Sequence, residues 1–212
     1  MRVLLVFLYF LIAIDVASAD SIVEKLKKGI GLSGVDIAEA LESGLDINPQ
    51  LPDGSFAIHL AAENGLNKTI KLLEDAGVDL NLTNQISETI LHIAVRRGNT
   101  RLVLYLLQKG FNPNSNDAFG ESPISSALSK DETIPIAAIL FCFGAKLQKV
   151  SLGVQRLVDD DEVILIFHKL GKLIALDQDM AKKLVLEIPI NNTQDFLENL
   201  EINLSLLCDL SL

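Results

Sequence analysis

Three histidines, two cysteines and one acidic run are the groups in this chain best suited to chemistry. His59 and His92 carry imidazoles that titrate near neutrality, the usual equipment for proton transfer or metal ligation. His168 follows the acidic run Asp159-Asp160-Asp161-Glu162, and a histidine beside carboxylates can hold a metal. The same four acids also suit the start of a helix, where negative charge meets the positive end of the dipole. That second reading accounts for the run, so no metal site and no cofactor is assigned. Cys142 and Cys208 can form a single bridge or stand as two buried thiols, and spacing alone leaves both open. The chain contains no Gly-x-Ser-x-Gly, no His-Glu-x-x-His, no Cys-x-x-Cys and no phosphate-binding glycine loop. Gly29-Ile30-Gly31 and Ser33-Gly34 lack a preceding strand pattern and read as a flexible lead into the fold. The groups point to no catalytic residue, so the elements that carry them decide their meaning.

Those elements repeat. Gly44, Gly77 and Gly110 are spaced by 33 residues, and Gly144 follows one residue late. Asn48, Asn81 and Asn114 keep the same spacing, as do the pairs His59/His92 and Gly65/Gly98. Self-similarity at one fixed period marks a solenoid whose units bury their apolar faces against each other. The segments 40–44, 73–77 and 106–110 each close an apolar-periodic stretch with glycine, the signature of a helix stopped by a residue at positive φ. Aromatic residues are only 5% of the chain and tryptophan is absent, so Leu, Ile, Val and Ala must fill the core.

The period and its residues resemble the ankyrin repeat. The helix-opening tetrapeptides are Phe56-Ala57-Ile58-His59, Thr89-Ile90-Leu91-His92 and Ser122-Pro123-Ile124-Ser125. His59-Leu60-Ala61-Ala62-Glu63-Asn64-Gly65 and His92-Ile93-Ala94-Val95-Arg96-Arg97-Gly98 continue two of them. The best units are 53–85 and 86–118. The unit at 119–148 departs from the pattern, with Ser125 in place of His and Asp131 where Gly is expected. The opening unit shows mainly its second half, from Val35 to Asn48. The resemblance implies an all-α ankyrin-repeat solenoid of about four units across 20–148. It implies that His59 and His92 bond the adjoining turn and are not free for proton transfer. It also implies a protein ligand met by the turn tips and the solvent side of the first helices. In this register those positions are Pro52, Asp53, Ser55, Glu63 and Asn64, then Gln85, Ile86, Glu88, Arg96 and Arg97, then Ala118, Phe119 and Glu121. Phe119 and Ile86 are apolar where turns are normally polar. The bland reading folds Phe119 back onto the stack and leaves the arginines as a solvated face.

The two ends differ from the repeats. Met1-Arg2, the twelve apolar residues Val3 to Ile14 and Ala17-Ser18-Ala19 follow the grammar of a signal peptide over residues 1–19. Twelve residues are too few to span a bilayer core of roughly 30 Å, which takes about 20. The expectation is a secreted or lumenal chain, periplasmic in a bacterium, with no transmembrane segment and a monomeric state. Sequons at Asn67, Asn81, Asn191 and Asn203 are glycosylation candidates on that reading. An intracellular ankyrin-type regulator with a misread leader, or an enzyme with its site in the C-terminal segment, are the alternatives. A net charge of −10 with no basic stripe argues against nucleic acid. Past Lys149 the period is lost, and residues 149–212 read as a helical cap or as degenerate repeats. Ile136 to Phe143 is apolar all round, so its outer face needs a cover, and the C-terminal helices are the available one.

Overall fold

The computed structural model describes residues 22–146, 178–188, 194–200 and 203. The expected signal peptide at 1–19, the Asp159–Glu162 run, His168, Asn191 and Cys208 lie outside these residues. All regular structure among the described residues is helical. In chain order the helices are α1 (22–27), α2 (Gly34–Glu42), α3 (Ala57–Glu63), α4 (Asn67–Asp75), α5 (Ile90–Arg96), α6 (Thr100–Gln108), α7 (Pro123–Ala127), α8 (Ile134–Cys142), α9 (Gln178–Glu187) and α10 (194–200). Two compact units, 1–93 and 94–212, divide within α5.

One local rule builds the first helices α3, α5 and α7. Phe56, Ser122 and, by register, Thr89 stand at the N-cap, and the residue three positions on turns back toward it. In α3 that residue is His59, whose Nδ1 accepts the Phe56 N–H at 3.0 Å. An imidazole thus does the work that Glu or Gln does in a capping box. In α5 the His92 Nδ1 accepts the Thr89 N–H at 3.3 Å and lies 2.9 Å from the Thr89 hydroxyl. In α7 the Ser122 and Ser125 hydroxyls meet at 3.1 Å, a shorter reach on a helix of five residues.

Each second helix stops in the same way. Gly77 N–H donates to Glu74 O and Val78 N–H to Leu73 O, and the same pair of bonds recurs at Gly44, Gly110 and Gly144. These glycines take φ of 72°, 92°, 86° and 90° along the chain, so the expected positive-φ stop is present at all four.

The first helices are short and lined with small residues. Ala57, Ala61 and Ala62 on α3 and Ala94 on α5 are fully buried. Within the first unit Ile58, Ile70 and Leu73 fill the space around them, and α3 packs on α4. Within the second, Leu102, Val103, Leu106 and Leu107 of α6 are buried, and α6 and α7 pack on α8.

The opening of the chain departs from expectation. The 29–33 segment is an ordered connection, not a flexible lead. Gly29 N–H donates to Leu26 O and Ile30 N–H to Lys25 O, which closes α1 with the same glycine stop. Ser33 then caps α2 in a full capping box with Asp36. The Lys25 ammonium and the Ser33 donors hold the Asp36 carboxyl down at about 2. Helix α1 is therefore the first helix of an opening unit whose second helix is α2. The helix α8 is buried along nearly its whole length, and α9 packs on it. Ala181 and Val185 of α9 are buried, and the Lys182 ammonium sits 4.9 Å from the centre of the Phe143 ring.

Cys142 is a buried thiol whose Sγ lies 3.8 Å from the Ala181 carbonyl oxygen. Burial pushes its pKa up to about 12. The thiolate is the reactive form, so Cys142 of the folded protein is expected to resist iodoacetamide at neutral pH and to alkylate only after denaturation. Mass spectrometry before and after urea checks this.

Candidate protein-binding surface

The tips of three turns carry most of the candidate residues, and one hydrogen-bond scheme builds all three. Leu51 N–H donates to Ser55 O, Asn84 N–H to Glu88 O and Asp117 N–H to Glu121 O. Inside each loop, Gly54, Ser87 and Gly120 donate back to residues 51, 84 and 117. These three residues take φ of 71°, 58° and 78°, at a spacing of 33. Side-chain oxygens finish the turns. Asn84 Oδ1 accepts from Ile86 and Glu88, and Asp117 Oδ1 accepts from Phe119 and Glu121. The contacts to Ile86 and Phe119 are Asx turns to the backbone two residues on, and those to Glu88 and Glu121 reach four residues on.

In the first unit the tip residues Pro52, Asp53, Gln85 and Ile86 are exposed, while Ser55 and Glu88 are half-buried. Asp53 accepts from the Ser55 hydroxyl at 2.6 Å and from the Ser55 N–H at 3.0 Å, which lowers its pKa. Glu88 accepts from the Asn84 amide at 2.9 Å. Asp53, Ser55 and Glu88 thus build the turns that present Pro52 and Ile86. Gln85 crosses over the preceding turn, with its amide placed to meet Asp53 O at 3.2 Å and Gly54 N–H at 3.3 Å. A Cβ added at Gly54 would lie 2.0 Å from Gln85 Cγ. Replacing Gly54 by Ala is therefore expected to cost about 1–2 kcal/mol from the left-handed backbone, plus the overlap. Urea unfolding checks the loss, and the double variant with Gln85→Ala should recover the overlap alone. Glu63 is half-buried. Asn64 is exposed, but its amide donates to Leu26 O at 2.9 Å and so ties α3 to α1.

In the second unit Phe119 is 74% exposed at the tip of its turn, flanked by exposed Ala118 and Gly120. Its ring does not fold back onto the helices. Ile86 in the first unit is 38% exposed. Arg96 ends α5, Arg97 follows it in the turn, and both are exposed, while Glu121 is half-buried.

The histidines are engaged elsewhere. His59 is 1% exposed, its Nδ1 accepts from the Phe56 N–H, and its Nε2–H donates to Leu82 O at 3.2 Å. It fastens α3 to the loop of the next unit. Burial lowers its pKa, which favours the neutral ring. Asn48 Oδ1 accepts the Ile58 N–H at 2.8 Å, a second bond from loop to first helix that sequence reading did not single out. Its register with Asn81 and Asn114 was the available signal.

Units of paired helices joined by glycine-stopped loops, with hairpin tips between them, define a helical repeat scaffold. A sequence profile of ankyrin repeats (3 copies) matches residues 32–117 and 58–150, more than half of the chain. The chain belongs to the ankyrin-repeat family. Among curated proteins, none matches it. No helix of the described residues is long and apolar enough to cross a membrane.

Proposed function

We propose that the mature chain is a non-catalytic protein-binding module, secreted or held in the lumen of the secretory pathway, and that its ligand meets the turn tips around Phe119. The observation that carries the reading is the Phe119 ring, 74% exposed on a turn whose backbone is held by Asp117. A rigidly presented aromatic is the residue type that dominates protein interfaces, and arginine is enriched with it. Arg96 and Arg97 supply that second component. The non-catalytic part is supported by the engagement of His59 and His92 with backbone groups of their own turns. The secretory part is supported by the leader grammar of residues 1–19.

Two measurements test the parts separately. N-terminal sequencing of the native protein is expected to begin near Asp20, and Met1 retained would defeat secretion in favour of an intracellular regulator. For binding, a ligand isolated from the secretory fraction is expected to lose about 30-fold or more in affinity against Phe119→Ala. The pair Arg96→Glu and Arg97→Glu should weaken it as well, with circular dichroism unchanged in both variants. Tight binding kept by both would place the interface elsewhere, with the C-terminal helices next in line.

A further inference from the structure

Four sequons occur in the chain, and the fold separates them. A glycan is bulky and must stand clear of the folded surface, and its acceptor must sit in Asn-x-Ser/Thr. Asn67-Lys68-Thr69 opens α4. Asn67 is half-buried there. Thr69 is 1% exposed, and its hydroxyl oxygen accepts the Leu32 N–H at 2.9 Å, which anchors the opening unit. Asn203 is half-buried, with its amide donating to Asn199 O at 2.7 Å. Asn191 lies outside the described residues.

Asn81-Leu82-Thr83 is different. Asn81 and Thr83 are both exposed, in the loop between α4 and α5. The Asn81 N–H and amide meet Asp79 Oδ1 at 2.8 and 3.1 Å, contacts made at the surface. At the same register position the other two units use the asparagine differently. Asn48 is buried against Ile58, and the Asn114 amide bridges Gly144 O and the Lys146 N–H. Neither of those two lies in a sequon, since Asn48-Pro49-Gln50 and Asn114-Ser115-Asn116 lack the third-position hydroxyl. The sequon thus falls on the one of the three register asparagines that is exposed.

We infer that Asn81 carries an N-linked glycan in the folded protein, an inference that rests on the secretory reading above. The group transferred is an oligosaccharide held on a lipid pyrophosphate. Asn81 Nδ2 bonds to the anomeric carbon, the bond from that carbon to the pyrophosphate oxygen breaks, and the lipid pyrophosphate leaves. Nδ2 gives up one proton, and nothing is oxidised or reduced. Transfer precedes folding, so the fold acts afterwards as the filter. A glycan on Asn81 leaves Nδ2 one N–H for Asp79 Oδ1 at an exposed position, whereas Asn67 is half-buried two residues before Thr69, whose hydroxyl is tied to Leu32.

The test uses two forms in a glycosylating host, the chain with its own leader and the chain from Asp20 behind a proven cleavable leader. The folded, secreted protein is digested and mapped by mass spectrometry with and without glycan removal. With the proven leader, the Asn81 peptide is expected to be glycosylated and the Asn67 peptide bare. Asn81→Gln and Thr83→Ala should each remove that glycan, and Thr83→Ser should keep it. A bare Asn81 in the proven-leader protein, or a glycan on Asn67 of folded monomer, overturns the assignment. A glycan on Asn81 with the proven leader and none with the native one supports the site and defeats the secretory routing instead.

Discussion

A chain ending at Gln148 is expected to aggregate where the full chain stays soluble. Helix α8 has a composition that only complete burial suits. Ile134 to Leu140 and Cys142 are all buried, and helix α9 packs against them. Removing residues 149–212 takes away Ala181 and Val185, together with the buried Phe196 and Leu200 of α10. Contiguous apolar surface of this kind associates with itself in water. Light scattering and size-exclusion chromatography of the truncated chain read the outcome. Because truncation is a blunt change, Val185→Asp in the full chain offers a second reading. It places an unpartnered charge at a position 1% exposed, and a loss of several kcal/mol is expected. A truncated chain that remains monomeric and unfolds at the same urea concentration as the full chain would show that α9 is not needed to cover α8.

The second large effect is expected at His59. Replacing it by Ala leaves the Phe56 N–H and the Leu82 carbonyl without their ring partners and opens a cavity at a site 1% exposed. The expected loss is about 3 kcal/mol, since each buried polar group left unsatisfied costs about 1–3 kcal/mol. The pH dependence follows from the lowered pKa. The folded ring resists protonation, while the unfolded ring takes up a proton near its ordinary value of 6.5. The unfolded state then binds more protons, so this contribution is complete above that value and declines as pH falls below it. Urea unfolding at about pH 7.5 and about pH 5.5 should show the parent losing stability to acid faster than His59→Ala. An unchanged slope would mean that the ring is not held neutral.

Legibility differed between parts of the molecule for physical reasons. The glycine stops and the histidines were readable because backbone geometry allows few residues at those positions. Positive φ asks for glycine, and an imidazole at the third helical position serves two bonds at once. The first helix of the opening unit was not readable. Its residue in the histidine register is Leu26, and its only stop signal was Gly29, in a glycine-rich stretch that read as a lead. Packing against Asn64 and the capping box at Ser33 supply the order that the pattern lacked. Ser87 shows the same limit from the other side. It holds φ of 58° where the two equivalent turns have glycine, so the period could be seen but the strained backbone could not. The candidate surface was legible as a set of register positions. Which of them build the turns and which face a ligand depended on hydrogen bonds. Asp53, Ser55, Glu88 and Asn64 are spent on the fold, and Phe119 is presented by it.

The central claim, that the turn tips receive a protein ligand, is tested most directly by a photo-crosslinking residue in place of Phe119, with a second version carrying it at Gln108. Gln108 is exposed at the end of α6, a second helix outside the three turns. Both versions are added as folded protein to the secretory fraction and irradiated. The account requires a discrete adduct from position 119 that free parent protein competes away, and none from position 108. An adduct from position 108 alone, or none from position 119 with saturating protein, contradicts it.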